Sequence, residues 1–320
     1  MIVVCGEALI DLVPAPEGMY RARPGGSPAN VAVGLGRLGV DVSLLARIAD
    51  DAFGRLMREH LVKSRVALDA ALVASEPSTL AVVSLDQSGK AEYAFYVEGS
   101  ADGAWRIEEL PAELPPLATL HVSGSLALGL PGMGDALEAL LTREKGGRTL
   151  TFDPNTRPQL ARDEAELRAR LQRWISLVDV VKVSSDDLAW VAPGEPIAEV
   201  ATRWRSLGPS LVVVTRGEDG VYALGPSGPV DLPGHRITVI DTVGAGDAFM
   251  AGLLAALDSA DSLAPDRLAV LDTTGLERAL AFAQAVAAET CRRVGADPPW
   301  REELTAEAGG DLREGLTTPG

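Results

Sequence analysis

The sequence predicts an α/β fold, with a largely parallel sheet covered by helices on both faces and a small β-flap beside it. Short apolar strands alternate with helical stretches along most of the 320 residues, a pattern that builds parallel sheets. A hydrophobic content of 47% is enough to fill the core of one large domain. Two alternating runs joined by DQSGK interrupt the series, which is typical of a hairpin that leaves the main sheet.

Apolar runs and helix-boundary residues predict the elements of the first third. Pro28 can open a helix after the loop PGGS, and Gly39 closes it. We interpret the hairpin as part of a flap over a pocket, with Tyr96 and residues 99–102 at its root; the alternative is an extension of the main sheet. In order, we expect strand 3–5, helix 29–38, strand 42–46, helix 53–64, and hairpin strands 80–85 and 91–97.

From residue 120 the alternation of strands and helices is regular. Asp163 and Glu166 form a capping-box pattern, and the Asp219–Gly220 turn folds a strand back on its neighbour. Residues 239–240 are interpreted as the end of a short strand. In order, we expect strand 120–124, helix 132–141, strand 149–153, a helix from 163, strand 177–183, a short helix in SSDDLAWV, helix 197–207, strands 211–215 and 221–224, a helix from 248, and helix 275–291.

Composition and charge narrow the classes of function. The formal net charge of −16 argues against nucleic acid or an acidic membrane surface as a partner. No apolar run is long enough for a membrane span, and the first residues, MIVVCGEALIDLV, are interpreted as a strand and not a signal peptide. Cys5 and Cys291 lie in apolar contexts and indicate free thiols of a reducing compartment, so we expect the protein in the cytoplasm.

Polar and glycine-rich pieces fall where the predicted strands end. Ligands of such sheets bind outside the carboxyl ends of the strands, so these pieces predict one composite site. The pieces are Asp11 and residues 25–30, 153–157, 184–187, 215–217 and 241–247.

The stretch VIDTVGAGDAFMAGLLAAL, residues 239–257, carries the clearest chemistry. Gly244, Ala245 and Gly246 let the backbone approach a ligand where a helix begins, and the unpaired amides of a first helical turn bind anions. The helix dipole favours the ionised form of Asp247, which can accept a proton beside the anion. These are the parts that a phosphoryl transfer needs.

The glycine-rich stretch and the polar candidate residues allow other interpretations. Phe249 stands where a dinucleotide-binding fingerprint needs Gly or Ala, and no Gly-Lys-Ser/Thr follows, which excludes a Walker loop. Asp247 taken alone is also a candidate helix cap. Asp11 is either a paired structural carboxylate or a ligand for hydroxyl groups, and Asn30 either caps its own helix or points its amide at a polar ligand.

Two long motifs, PGGSPANVAVGLGRLG and DTVGAGDAFMAGLL, resemble the two signatures of the PfkB family, the ribokinase-like sugar kinases. The likeness covers residues 3–299 and implies a doubly wound α/β domain with a small β lid, and ATP-dependent phosphorylation of a sugar hydroxyl. It places the kinase domain at residues 1–300, with the lid at about 12–23 and 79–99. The acidic, glycine-bearing tail 301–320 is expected to be mobile.

The resemblance also implies roles for single residues. Asp247 resembles the catalytic base, and the amides of Gly244, Ala245, Gly246 and Asp247 resemble the family's anion hole. Arg157 either binds substrate or a transferring phosphate, or only ties down its Pro-bounded loop. The predicted sugar-binding residues are Asp11, Gly25, Gly26, Asn30, Tyr96 and Arg157.

For the nucleotide, KVSSDDL resembles a family stretch that normally carries Asn and Glu three residues apart; the two positions here are Ser184 and Asp187. The resemblance implies that Asp187 reaches Mg²⁺ through water, and a solvated helix start is the alternative. The predicted ATP-binding residues are Lys182, Ser184, Asp187, Thr215, Gly217 and Gln284. Two loops resemble the family's site for a monovalent cation such as K⁺, which not every member uses; they carry Asp241, Val243, Arg293 and Gly295.

The stretches GEALIDLVP, FYVEGSAD and DPNTRP are most similar to bacterial fructokinases and the neighbouring ketodeoxygluconate kinases. Many members of both groups have Arg where this chain has Val97, and a sugar acid needs a cation for its carboxylate, so we expect a neutral sugar, fructose. Ketodeoxygluconate, ribose and nucleosides are the alternative acceptors, and a non-catalytic sensor on the same fold is the alternative of another class. Because an exposed lid sheet pairs two copies in many members, a homodimer through the lid is also open.

Overall fold

The structure is a computed structural model and describes residues 1–85, 91–160 and 163–304. Its strands, in chain order, are β1 (Ile2–Cys5), β2 (Leu9–Pro14), β3 (Tyr20–Gly25), β4 (Val42–Leu45), β5 (Arg47–Ala49), β6 (Leu72–Ala74), β7 (Leu80–Leu85), β8 (Ala91–Tyr96), β9 (Thr119–Ser123), β10 (Leu150–Asp153), β11 (Val180–Ser184), β12 (Leu211–Thr215), β13 (Val221–Gly225) and β14 (Gly228–Leu232). Its α-helices are α1 (Ser27–Arg37), α2 (Ala52–Lys63), α3 (Ser125–Gly129), α4 (Pro131–Glu144), α5 (Glu164–Leu177), α6 (Ser185–Val191), α7 (Ile197–Arg205), α8 (Ala245–Ser259), α9 (Pro265–Leu268) and α10 (Thr273–Thr290).

The main sheet has eight strands in the order β14-β13-β12-β11-β10-β9-β1-β4. Neighbours from β12 to β4 run parallel, whereas β13 and β14 form antiparallel pairs at one edge. The prediction of a largely parallel sheet with a returning strand after the Asp219–Gly220 turn is therefore confirmed. All the parallel strands point their carboxyl ends to the same edge, which is where the predicted site pieces meet.

Helices cover both faces of this sheet. Successive side chains of a strand point to opposite faces, so apolar strands need a layer of helices on each side. Ile2 and Val4 of β1 belong to one apolar cluster with side chains of α1, α8 and α10. Val3 and Cys5 point to the other face and belong to a second cluster with side chains of α4, α5 and α7. Each buried Leu, Val or Ile contributes about 1.5–3 kcal/mol to folding, so two full layers hold the strand ends in place.

A second, smaller sheet contains the strands β3-β2-β7-β8, and we call it the small sheet. It includes the predicted hairpin, which confirms that the hairpin leaves the main sheet; the DQSGK loop lies outside the described residues. The hairpin root is tied together where the amide of Asp102 donates to Thr79 Oγ1 (3.2 Å) and Ser100 Oγ pairs with the same hydroxyl (2.8 Å). The assignment of the small sheet as a lid stays a prediction.

Two predicted elements differ from the structure, and some short elements were not predicted. Leu177 completes the last turn of α5, so the following strand begins only at Val180. Residues 239–240 are not a strand, because the amides of Ile240 and Asp241 both donate to the carbonyl of Cys291 beyond the end of α10. Helix α3, which has only five residues, was not predicted.

The carboxyl-terminal segment packs against the domain beyond the predicted boundary at 300. The guanidinium groups of Arg37 and Arg65 lie 5.5 and 5.0 Å from the centroid of the Trp300 ring. Residues Arg301–Glu303 form a 3₁₀ turn, and the remainder of the predicted tail, 305–320, lies outside the described residues. Among the described helices, none is long and apolar enough to cross a membrane.

Helices α8 and α10 pack closely at Gly252, and this contact yields a test of the fold. A Cβ atom added there would lie 2.8 Å from Ala283 Cα and 3.1 Å from Val286 Cγ2. We therefore expect Gly252→Val to lower the free energy of unfolding by about 1–3 kcal/mol, measured by urea titration. Gly147→Val is the matched control, since its nearest atom is Glu144 O at 3.5 Å; equal losses in both variants would contradict the packing argument.

Candidate active site

The amino end of α8 forms the centre of the candidate site. Gly244 is the cap residue with φ +77°, and a Cβ there would lie 2.5 Å from Ala296 Cβ, so backbone conformation and space both require glycine. The first bond within the helix runs from the amide of Ala248 to Gly244 O, so the amides of Gly246 and Asp247 precede the helical ladder. This arrangement is typical of an anion-binding helix end.

Asp247 is buried in the first turn of α8, and the first turn of α1 holds its carboxylate. Ser27 Oγ donates to Oδ1 (2.7 Å) and Asn30 Nδ2 donates to Oδ2 (2.8 Å). Burial raises the pKa of Asp247, while these two hydrogen bonds and the charges of Lys182 and Arg157 act in the opposite direction. Desolvation of the Asp247 carboxylate thus outweighs the expected bias of the helix dipole toward its ionised form. The hydrogen-bond donors around the carboxylate limit this rise of its pKa.

Asn30 therefore contacts the predicted base directly, a contact that the sequence analysis did not anticipate. Its helix begins after Gly26, whose φ of +98° turns the chain from β3 into α1. A Cβ at Gly26 would lie 2.8 Å from Glu7 O, which explains glycine there. Gly25 ends β3 and faces Asp11, whose Oδ2 would lie 2.1 Å from an added Cβ.

Asp11 lies on β2 of the small sheet, opposite Arg23 of β3, and faces the same region as Asp247. Burial raises the pKa of Asp11 to about 6, and the neighbouring Asp247 carboxylate adds to the shift. The two carboxylates are thus close enough to interact. The structure brings together Asp11, Asn30 and Asp247, which the sequence analysis assigned to one pocket.

Residues of β8 alternate between the pocket side and the outer face of the small sheet. Tyr96 is 63% exposed and lies on the outer face, so its role in the sugar site stays a prediction that this structure does not support. Tyr93, Phe95 and Val97 share the inner side, and the rings of Tyr93 and Phe95 stack at 6.0 Å. Burial raises the pKa of Tyr93, and the charges of Asp11 and Arg157 also reach it, in opposite directions. Tyr93 was missed, although the period of two from buried Val97 would have found it.

A buried ion pair lies beneath the amino end of α8. Lys182 Nζ is 2.8 Å from Asp153 Oδ2, and both side chains are almost fully buried. Burial lowers the pKa of Lys182, but the Asp153 carboxylate outweighs it, so the pKa is raised and the lysine stays charged. Nζ also lies 3.1 Å from where a Cβ of Gly246 would be, which puts a fixed positive charge behind the candidate anion site. Asp153 was predicted only as part of the 153–157 piece.

Ser184 and Asp187 lie where α6 begins. Ser184 Oγ accepts from the amide of Asp187 (3.0 Å) and donates to Asp187 Oδ2 (2.8 Å), so it is the helix cap. Thr156 Oγ1 donates to Asp187 Oδ1 (2.5 Å), a partner that sequence reasoning missed. Asp187 therefore sits between two hydroxyl groups, a setting that suits a carboxylate reaching a hydrated cation through water.

A cavity of about 710 Å³ opens beside the amino end of α8. Phe249 and Ala288 supply apolar walls, and Cys291 and His235 lie at its lining as well. The predicted nucleotide residues that line it are Thr215, Gly217 and Gln284, together with Ala245 and Gly246 of the anion hole. Lys182, Ser184 and Asp187 are not among the lining residues; they lie on the strand-end side.

The two loops predicted to hold a monovalent cation lie against each other. Asp241 joins them, because Oδ1 accepts from the amide of Val243 (3.0 Å) and Oδ2 from the amide of Gly295 (2.7 Å). The side chain of Arg293 instead pairs with Glu303 (3.1 Å), so only its backbone is available to a cation. Backbone carbonyls beside one carboxylate fit a hard cation. Among the described residues, no group of three or more His, Cys, Asp or Glu suits a metal ion.

Comparison with known proteins agrees with this geometry. The family model described as pfkB family carbohydrate kinase matches residues 1–303. A fructokinase from Rhizobium leguminosarum bv. trifolii is 38% identical over 280 residues, which covers 86% of this chain and 85% of that protein. A fructokinase from Klebsiella pneumoniae is 38% identical over 285 residues, covering 86% and 91%.

A solved structure of similar fold is a fructokinase double mutant from Vibrio cholerae O395, in a form bound to fructose, ADP and potassium ion. Its TM-score is 0.81 at 31% identity, and the alignment covers 92% of this chain and 93% of that one. The predicted fold class, a doubly wound ribokinase-like domain with a small β-sheet, is confirmed. The family match and these relatives show that the chain belongs to the pfkB family of carbohydrate kinases.

Proposed function

We propose that this carbohydrate kinase is an ATP-dependent fructokinase, which transfers the γ-phosphoryl group of ATP to a primary hydroxyl of fructose. The observation that carries the proposal is the position of Asp247. Its carboxylate lies in the first turn of α8, near enough to Asp11 of the small sheet to interact with it, and Ala245 and Gly246 of the same turn line the cavity. The fructokinases among its relatives support the choice of sugar.

In this proposal each of these residues has its own step. Asp247 orients the attacking hydroxyl and accepts its proton, and Ser27 and Asn30 keep the carboxylate in place. The amides of Gly246 and Asp247 face the transferring group, and Lys182 adds a fixed positive charge behind them. In a loose transition state, this electrostatic support contributes more than removal of the proton.

Metal ions are part of the proposal. Asp187 would hold Mg²⁺ through water, and the loops joined by Asp241 would hold a monovalent cation through the carbonyls of Val243, Arg293 and Gly295. When bound with the nucleotide, Mg²⁺ neutralises charge on the phosphate oxygens. The structure of the Vibrio cholerae relative with potassium ion supports the second site.

The sugar is proposed to bind beneath the small sheet, which acts as a lid. Asp11 accepts hydrogen bonds from its hydroxyls, and the stacked rings of Tyr93 and Phe95 supply an apolar wall. Buried Val97 offers no charge to an acid group, which favours a neutral sugar. Arg157 is near enough to affect Tyr93 and is the proposed cation of the site. The free thiols Cys5 and Cys291 support a reducing compartment such as the cytoplasm, and a homodimer through the outer face of the small sheet is a further proposal.

Replacement of the proposed base tests the reaction itself. Asp247→Asn should lower kcat by roughly 10²- to 10⁴-fold, the usual contribution of a general base, because the amide cannot accept the proton. The affinity for ATP should change little, since the backbone amides of the anion hole stay in place. Asp186→Asn, in the exposed first turn of α6, is the control with near wild-type turnover. Normal turnover in the Asp247 variant would remove the base assignment.

A panel of acceptors tests the substrate. With a coupled assay of ADP release, kcat/KM should be highest for fructose among fructose, ribose, 2-keto-3-deoxygluconate and adenosine. A higher kcat/KM for any other acceptor would replace fructose while retaining the kinase. If no acceptor stimulates ADP release, the kinase proposal fails in favour of a non-catalytic binding role.

The pKa of Asp11 predicts a pH effect on sugar binding alone. Because that pKa is about 6, Asp11 becomes protonated as the pH falls below 6 and loses its capacity as a charged acceptor. The KM for fructose should then rise, approaching roughly tenfold per pH unit at lower pH, while the KM for ATP does not follow the same curve. Asp11→Asn should have a high KM without this pH dependence. A wild-type KM that is flat between pH 5 and about 7 would contradict the placement of Asp11.

A further inference from the structure

The hydroxyl of Ser27 lies in an unusual place for a residue at the start of a helix. It is the first residue of α1 and its side chain is buried, yet it does not cap its own helix. Its Oγ instead lies 2.7 Å from Oδ1 of Asp247, which is 220 residues away in the chain. Behind it, the buried Ser123 at the end of β9 places its Oγ 3.4 Å from Ser27 Oγ.

We propose that Ser27 is a positioning residue that holds Asp247 in one orientation and keeps its carboxylate ionised. The inference rests on the proposed role of Asp247 as the base. A serine hydroxyl has one proton, and the ionised carboxylate is its stronger acceptor. Ser123 Oγ, at 3.4 Å, is the more distant and uncharged alternative acceptor for that proton.

Two donors on one carboxylate fix its plane. Ser27 engages Oδ1 and Asn30 engages Oδ2, and both come from the same first turn of a helix that is packed against α8. Each oxygen retains a further lone pair, so one remains available to the sugar hydroxyl. Loss of one donor leaves the carboxylate held at a single oxygen and free to rotate about its χ2 bond.

Other charged groups around Asp247 also affect its pKa, and their effects have to be distinguished from that of Ser27. Asp11 faces it from β2, Asp153 from the end of β10, Lys182 from β11, and Arg157 from the loop after β10. Burial raises the pKa of Asp247, and Lys182 and Arg157 counter it alongside the two hydrogen bonds. Replacement of the Ser27 hydroxyl by hydrogen leaves all four charges in place, so the change reports on the hydroxyl.

The test is the pH dependence of kcat for Ser27→Ala, measured with saturating fructose and ATP so that protonation of Asp11 does not enter through sugar binding. A hydrogen bond to the ionised form lowers a pKa. Its loss should move the acidic limb of the kcat profile to higher pH by on the order of one unit, and part of kcat should return above that limb. The KM for ATP should stay near its wild-type value. A merely structural role would lower kcat by the same factor at every pH.

Ser123→Ala is the matched control, a buried serine of the same size that touches Ser27 but not Asp247. It should shift the acidic limb by less than half as much as Ser27→Ala. An unshifted limb with normal kcat in Ser27→Ala, or an equal shift in both variants, would overturn the inference.

A direct titration of the Asp247 carboxyl carbon by NMR provides a readout that does not depend on turnover. The Ser27→Ala protein should show a higher pKa than the wild type, and an unchanged value would overturn the inference. The Asp247→Asn variant distinguishes failure of the Ser27 role from failure of the base assignment. If Asp247→Asn is inactive while Ser27→Ala leaves the pKa in place, only the role of Ser27 is lost; if Asp247→Asn is active, the base assignment fails first.

Discussion

The contact between the first turns of α1 and α8 is the constraint on which the site depends. Asp247 projects from a helix end that attracts anions, into a pocket that already contains the carboxylate of Asp11. Such a group tends to take up a proton or turn away unless donors hold it. Ser27 and Asn30 supply those donors from a helix near the other end of the chain. The base is therefore held in place only when α1 and α8 pack together.

The site balances negative charge locally, and the formal charge of −16 has little bearing on it. Lys182 is buried in an ion pair with Asp153, and it still faces the amino end of α8. Burial lowers the pKa of Lys182, and the Asp153 carboxylate is the largest of the groups that counter it, so Asp153 helps to keep the positive charge where a phosphate would need it. Arg157, half-buried in the loop after β10, provides a second positive charge.

Most of the fold could be predicted from the hydrophobic periodicity and from the Pro and Gly residues at element boundaries. Pro28 and Gly39 bracketed α1, and the glycines before Asp247 marked the start of α8, because such residues have few alternatives in local structure. Strand ends could also be placed, which is why the polar pieces were assigned to one site. Helix α3 was missed because a helix of five small and apolar residues, four of them buried, shows no helical period.

Contacts between distant residues are what the sequence could not provide. Ser27 looks like an ordinary residue at a helix start, and its acceptor can be found only when α1 and α8 are packed together. Asp153 and Lys182 pair because β10 and β11 are neighbours in the sheet. Tyr96 was chosen from a motif and not from the alternation of side chains along β8. Tyr93, an odd number of positions away, lies on the opposite face, so its ring is on the pocket side while that of Tyr96 is in solvent.

Strand β3 of the small sheet runs into α1 through Gly25 and Gly26, with no intervening loop. The donor to the base, Ser27, is the next residue in the chain. Only two glycines separate the body of β3 from the donor to the base, and the second of them has φ +98°. The strand that pairs with Asp11 and the residue that holds Asp247 are therefore one continuous stretch of chain, so the two sides of the site share a single backbone segment.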